Sequence, residues 1–384
     1  MVTARKHIGI IYEPNSNWIA GAYYLQNIVA SLNTLPDKEA PIVNVICNSK
    51  SIFDEFAQAT RYKHLRFSLD HYGKLNLAIR KLARKLTSVQ FNTYKKSDVG
   101  IGKSIFIYPT NGSYKSSLLK DRSKALAWIP DFQEEYLPEL FSKEEIDFRR
   151  KTNNYYIDNN IPIVFSSLDA HKDFKKFYHS PDGFKSFILP FAVFHPDFSH
   201  LNIQELKGKY NITKPYLFCA NQFWVHKNHA FLFKAFLEAK QKGLDLQLVC
   251  SGKMHDYRNE AYCNDLKSFI QDNNLQDDIL LLGFISREEQ LCLMDNSYAV
   301  VQPSLFEGWS TVVEDAKRLN KFIFVSNLEV HKEQEPVNSS FFNPHDTADL
   351  VDKLLNVSPT NKPYDYTDSV KRCAEAFNNI INCF

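Results

Sequence analysis

A regular alternation of short apolar runs with segments of helical periodicity most limits what this chain can fold into. The runs lie at 7–12, 42–47, 64–67, 104–108, 125–129, 161–165 and 186–189. After a polar stretch at 195–214 they resume at 216–220, 246–250, 279–282, 298–301, 322–325 and 340–342. Runs that are apolar along their whole length predict strands covered on both faces. Such strands alternating with helices predict parallel sheets in an α/β protein. Two series predict two doubly wound domains, 1–197 and 214–365, facing a central cleft, with 366–384 a helix packing back towards the first. In such sheets ligands bind beyond the carboxyl ends of the strands.

Composition narrows the function. At 384 residues the chain exceeds what one hydrophobic core usually serves. Its 44% hydrophobic and 23% charged residues are ordinary for a globular protein, and a formal charge of +2 gives no strong positive field for nucleic acid. The first residues lead directly into a strand, and no apolar run is long enough to span a bilayer, so a cytoplasmic chain is expected. Seven scattered cysteines without a C-x-x-C pair predict reduced thiols and no structural metal site.

The stretch Ser304-Leu-Phe-Glu307-Gly308-Trp309-Ser310-Thr311-Val-Val-Glu314-Asp315-Ala-Lys317 follows the run at 298–302 and opens a helix with Val312, Val313, Ala316 and Leu319 on one face. The first N–H groups of a helix lack internal partners and suit phosphate. Here the same loop carries acids that suit sugar hydroxyls. Thr311 and Glu314 fit a capping box, which accounts for Glu314 without a ligand, as it does for Glu145 after Ser142 and Glu289 after Ser286. Glu307 precedes the cap and has no such explanation.

A second loop, Asn221-Gln222-Phe-Trp-Val-His226-Lys227-Asn-His229, also joins a strand end to a helix. Lys227 offers a point charge to a diphosphate, and Asn221, Gln222 and His226 offer neutral donors. A plain helix N-terminus would rather carry acids than a lysine and two histidines. The loop around Gly252 and the one around Phe284, where a nucleobase could sit, have the same strand-to-helix position.

These four motifs, in this order and spacing across most of 214–343, resemble glycosyltransferase family 4, retaining enzymes of the two-domain GT-B fold often encoded for bacterial surface polysaccharides. The first half matches loosely, at Trp18-Ile-Ala-Gly21 and Trp128-Ile-Pro-Asp131-Phe-Gln133. The resemblance implies a nucleotide-sugar donor (UDP-, GDP- or dTDP-linked), no required cofactor, and transfer to a glycan or lipid-linked glycan, as in O-antigen, capsule or exopolysaccharide synthesis. It puts Glu307 near the donor sugar and Asp315 on the ribose diol, with Gln222 and Lys227 where the family has an Arg-x4-Lys phosphate pair. Asp315 is one methylene shorter than the family's glutamate, with Glu314 beside it as a competitor, and Gln222 lacks the arginine's charge. Gly21 stands where the family places a glycine-rich loop.

The same resemblance implies a front-face displacement in which the leaving phosphate helps take the acceptor's proton. The protein then places two substrates and stabilises charge on the diphosphate through Lys227, Gln222 and the amides of Trp309–Thr311. Asp131, at a strand end in the first domain, is the acceptor-side candidate. The segment 74–86 reads as a basic amphipathic helix, either surface packing or a peripheral contact with the inner face of a membrane. Two other classes stay open: another enzyme of this fold, a phosphorylase or nucleotide-sugar epimerase, and a non-catalytic nucleotide-sugar-binding protein.

Overall fold

The computed structural model describes residues 5–14, 19–69, 102–110 and 122–384. The basic segment 74–86 lies outside them. Each apolar run named above contains or overlaps a parallel strand, so the α/β class expected from the alternation is the one the chain has. The chain divides into two compact units. One comprises Met1–Phe132, Ser142–Phe194 and Thr367–Phe384, the other Gln133–Phe141 and His195–Tyr366.

In the first unit, strands β1 (His7–Ile11), β2 (Ile42–Cys47), β3 (Leu65–Leu69) and β4 (Ile107–Tyr108) form a sheet of order β3-β2-β1-β4. A second sheet of order β5-β6-β7 holds Ala127–Ile129, Ile163–Phe165 and Ser186–Ile188, and one parallel bridge, Ile107 to Ala125, joins the two. Helix α1 (Ile19–Ser31) follows β1. Gly21 is buried within its first turn rather than free in a loop, which corrects the expected loop position. The C-terminal helix Thr367–Asn382 counts in this unit: Phe377 packs 6.3 Å from Phe106, and Lys6 Nζ donates to Ile381 O at 3.0 Å.

The second unit has one six-stranded parallel sheet of order β10-β9-β8-β11-β12-β13. Its strands are β8 (Tyr216–Cys219), β9 (Gln247–Ser251), β10 (Ile279–Gly283), β11 (Ala299–Gln302), β12 (Ile323–Ser326) and β13 (Ser339–Phe342). The four inner strands are buried throughout, and only the edge strands β10 and β13 are partly exposed. That is why the inner runs are apolar end to end. Alternate residues feed two cores. Leu217, Leu248, Val301 and Phe324 meet Phe233 and Phe236 of one helix, His229–Gln241, while Phe218, Val249, Val300 and Val325 meet Val313 and Ala316 of another, Thr311–Arg318. Each such side chain contributes roughly 1.5–3 kcal/mol by leaving water.

Strand order fixes the place of the site. β8 and β11 are neighbours, yet the chain goes from β8 to β9 on one side and from β11 to β12 on the other. The loops leaving these two strands diverge, and such a switch point is where open α/β sheets in general bind ligands.

Helix capping departs from expectation at two of three places. Ser142 and Glu145 form the full reciprocal box. Ser286 caps its helix, but Glu289 turns its carboxylate to Lys209 and Tyr210. Before Thr311–Arg318 the cap is Ser310, whose Oγ accepts from Val313 N, and Thr311 is the first helical residue. Glu314 is therefore no capping partner.

Candidate functional site

Lys227 and Glu307 meet at the switch point. Lys227 ends a short 3-10 turn, Val225–Lys227, in the loop after β8, and Glu307 lies in the loop after β11. Lys227 Nζ sits 2.6 Å from Glu307 Oε1. The loops are tied at their backbones too: Leu305 N donates to His226 O at 2.8 Å, and Asn228, at a left-handed φ of 61°, donates through Nδ2 to Pro303 O and Pro344 O at 3.1 and 3.0 Å.

Glu307 Oε1 also accepts from Gln302 Nε2 and Ser304 Oγ, both at 2.7 Å. Gln302 Oε1 accepts in turn from Asn221 Nδ2 at 2.7 Å. Gln302, Ser304 and Asn221 are buried, whereas the Lys227 and Glu307 side chains keep 16% and 9% exposure. Three donors on one oxygen offset the desolvation of the carboxylate and fix its rotamer. Oε2 takes no hydrogen bond from the described residues.

Gly252, at the end of β9, shows how closely these loops pack. A Cβ there would lie 2.1 Å from Asn221 O and 2.9 Å from the Gln222 Cα, and φ is +155°. Only glycine lets β9 pass under the β8 loop. The Gln222 carboxamide makes no hydrogen bond to the described residues. Phe284 is 68% exposed.

Several expected roles change. Gln334 holds both the N–H and the carbonyl of Ser310, at 3.1 and 2.9 Å, so the Ser310 amide is not a free donor. Past Trp309 and Gly308, the N–H groups of Thr311 and Val312 have no partner among the described residues. Glu314 is taken up by internal partners: Tyr366 Oη, Gln334 Nε2 and Lys317 Nζ reach it at 2.6, 2.9 and 3.2 Å. Asp315 is buried, with Oδ1 paired to Arg287 and, at 2.9 Å, to His195. Burial works to raise its pKa, but the Arg287 charge and the His195 contact outweigh it and hold the carboxyl below the usual range. Asp131 lies in the first unit, 3.8 Å from Arg149.

Gln302, Ser304, Asp256, Arg258 and His331 carry no role in the sequence reading. Gln302 and Ser304 had one signal, a polar side chain directly after an apolar strand. His331 had none: it is buried in Glu329–Glu333, its Nδ1 is 2.8 Å from Ser326 O, and Nε2 is sealed without a partner. Burial lowers its pKa, and Glu307 and Lys227 act on it in opposite senses. Among the described residues no His, Cys, Asp and Glu group forms a metal cluster, and no helix is long and apolar enough to cross a membrane.

The switch-point loops fall inside the segment that comparison with known families singles out. Residues 202–368 match the model of the glycosyl transferases group 1. Bacillus subtilis "Putative glycosyltransferase EpsF" is 34% identical over 96 residues, and the O-antigen chain mannosyltransferase RfbU of Salmonella typhimurium is 25% identical over 167. Those stretches are 25% and 43% of this chain, and the chain spans only 23% and 42% of the length of these two curated relatives. Over nearly the whole chain, 98% of it against 95% of the other, the fold is similar to that of Anabaena Alr3699/HepE in complex with UDP and glucose, with TM-score 0.60 and 13% identity. That likeness is one of fold: the chain has the GT-B architecture, with two Rossmann-like units.

Proposed function

We propose that this protein is a retaining glycosyltransferase of family 4 that moves a sugar from a nucleotide-sugar to a glycan or lipid-linked glycan in surface-polysaccharide synthesis. The observation that carries the reading is the Lys227–Glu307 pair at the carboxyl ends of β8 and β11, with Glu307 Oε2 left free. The match of 202–368 to group 1 glycosyl transferases and the UDP named with a structure of similar fold support it.

In this reading Lys227 and the amides of Thr311 and Val312 take the diphosphate. Glu307 Oε2 accepts a hydroxyl of the donor sugar, and Asp315 accepts from the ribose through its remaining oxygen. As the bond to the anomeric carbon breaks, negative charge grows on the diphosphate, where an ammonium and fixed helix amides stabilise it without reorganising. The leaving phosphate oxygen takes the acceptor's proton while the acceptor oxygen bonds the same face of the sugar, which retains configuration. On the acceptor side the proposal rests on Asp131, after β5.

The test measures release of nucleoside diphosphate from UDP-glucose, GDP-mannose and dTDP-rhamnose, with a melting-point screen against UDP, GDP, ADP, CMP and dTDP. A nucleotide that binds only the folded chain raises its melting point. A shift with one diphosphate, lost in Lys227→Ala, is expected. Absence of any shift with wild type would remove the reading.

A further inference from the structure

His226 sits next to Lys227 in the chain and is 4% exposed. Its Nδ1 lies 3.2 Å from Arg258 Nη2. A guanidinium has only donors, so Nδ1 is the acceptor and the ring proton must be on Nε2. Arg258 is itself fixed. Its Nε and its backbone N–H reach Asp256 Oδ1 at 3.2 and 3.0 Å, and the other Asp256 oxygen accepts from Val225 N at 3.0 Å. The guanidinium also lies 5.1 Å from the Trp224 ring centre and 5.4 Å from that of Phe141. Asp256, Arg258 and the turn that carries His226 and Lys227 are thus braced as one piece.

The Nε2–H has no partner among the described residues and is not one of the sealed atoms, so it reaches the surface of the unit. Burial pushes the imidazole pKa well below its ordinary value, and the charges of Lys227, Arg258 and His229 push the same way. The ring therefore stays neutral near pH 7. These are the titratable groups that act on it; the Trp224 ring, at 5.5 Å, is the aromatic one.

We propose that Arg258 is a positioning residue that holds His226 as a neutral Nε2–H donor beside Lys227, and that this donor takes a phosphate oxygen of the nucleoside diphosphate. This deepens the proposed function and rests on it. The site then offers the diphosphate one charged and one oriented neutral donor. The Arg258 charge is itself paired with Asp256.

The test exploits the shapes of the amides: a Gln side chain puts N–H near the place of Nε2, an Asn side chain nearer that of Nδ1. The probe is UDP, or whichever of GDP, ADP and dTDP stabilises wild type more, titrated by calorimetry. His226→Gln should bind within about threefold of wild type, and His226→Asn and His226→Ala about tenfold more weakly, the worth of one charge-assisted hydrogen bond. Nitrogen NMR should find Nε2 protonated and Nδ1 bare in the wild type from about pH 6 to 8. In Arg258→Gln the ring pKa should rise but stay below the ordinary histidine value, because burial and the Lys227 charge remain. Its affinity for the probe relative to wild type should then recover as pH falls, because an imidazolium donates from both nitrogens. A protonated Nδ1 in wild type, or Asn binding as well as Gln, would overturn the assignment of His226 and Arg258 while leaving nucleotide binding intact. A wild type that binds none of the probes would remove the nucleotide reading itself, whatever the tautomer.

Discussion

Replacing Glu307 by Gln and by Ala separates its charge from its role as an acceptor. Glu307 Oε1 takes Lys227 Nζ at 2.6 Å and Gln302 Nε2 and Ser304 Oγ at 2.7 Å. Glutamine keeps an oxygen for all three, but loses the charge and turns Oε2 into an amide donor. A hydrogen bond to a charged group contributes about 1.5–3 kcal/mol and a neutral one about 0.5–1.5, so the loss is about 1 per bond; the amide also avoids the desolvation cost of the carboxylate, which leaves a net cost of about 1 kcal/mol for Glu307→Gln. Alanine strands the donors. Gln302 and Ser304 are fully buried, and each desolvated donor costs about 1–3 kcal/mol, partly relieved because the two lie 3.0 Å apart and can bond each other. Lys227 still reaches water and adds little. The Ala variant should lose on the order of 2–4 kcal/mol, about 2 more than Gln. Urea unfolding followed by intrinsic fluorescence measures both, and transfer should be lost in both. If Ala and Gln unfold within about 0.5 kcal/mol of each other, the three donors do not hold this loop and the reasoning fails.

Gly252→Ala should cost about 3 kcal/mol and weaken nucleotide binding, because a Cβ 2.1 Å from Asn221 O must push the β8 loop away; a wild-type melting curve would contradict this. Acid should destabilise the second unit well above the carboxylate range. His195, His226 and His331 all have pKa values lowered chiefly by burial, so below about pH 6.5 the unfolded chain binds more protons than the folded one. Stability that is complete above that value then falls as pH drops towards the folded values, by at most about 1.4 kcal/mol per pH unit for each histidine. Urea midpoints that stay flat between pH 7 and 5 would refute it. Asp315 works in a lower window, its contribution being present above the usual carboxylate pKa and lost as pH falls through the depressed folded value.

The sequence alone determined which segments are strands, because burial on both faces leaves its mark on every residue of a strand. The runs around Leu217, Val249 and Val300 could only be inner strands. It also put Lys227 and Glu307 directly after such strands, the one place in a parallel sheet where backbone donors and side chains face outward together. What it did not hold was which strands are neighbours. The order β8-β11, against the order of synthesis, brings residues 80 apart to 2.6 Å. The same holds for partners chosen in three dimensions. Glu314 reads as a cap from its spacing to Thr311, but Tyr366 and Gln334 take it inward, 52 and 20 residues away. Asp315 reads as a free acid until Arg287 and His195 close on it. Local pattern reflects whether a side chain leaves water. Which polar group then answers it depends on the packing of distant loops, and tertiary structure alone decides that.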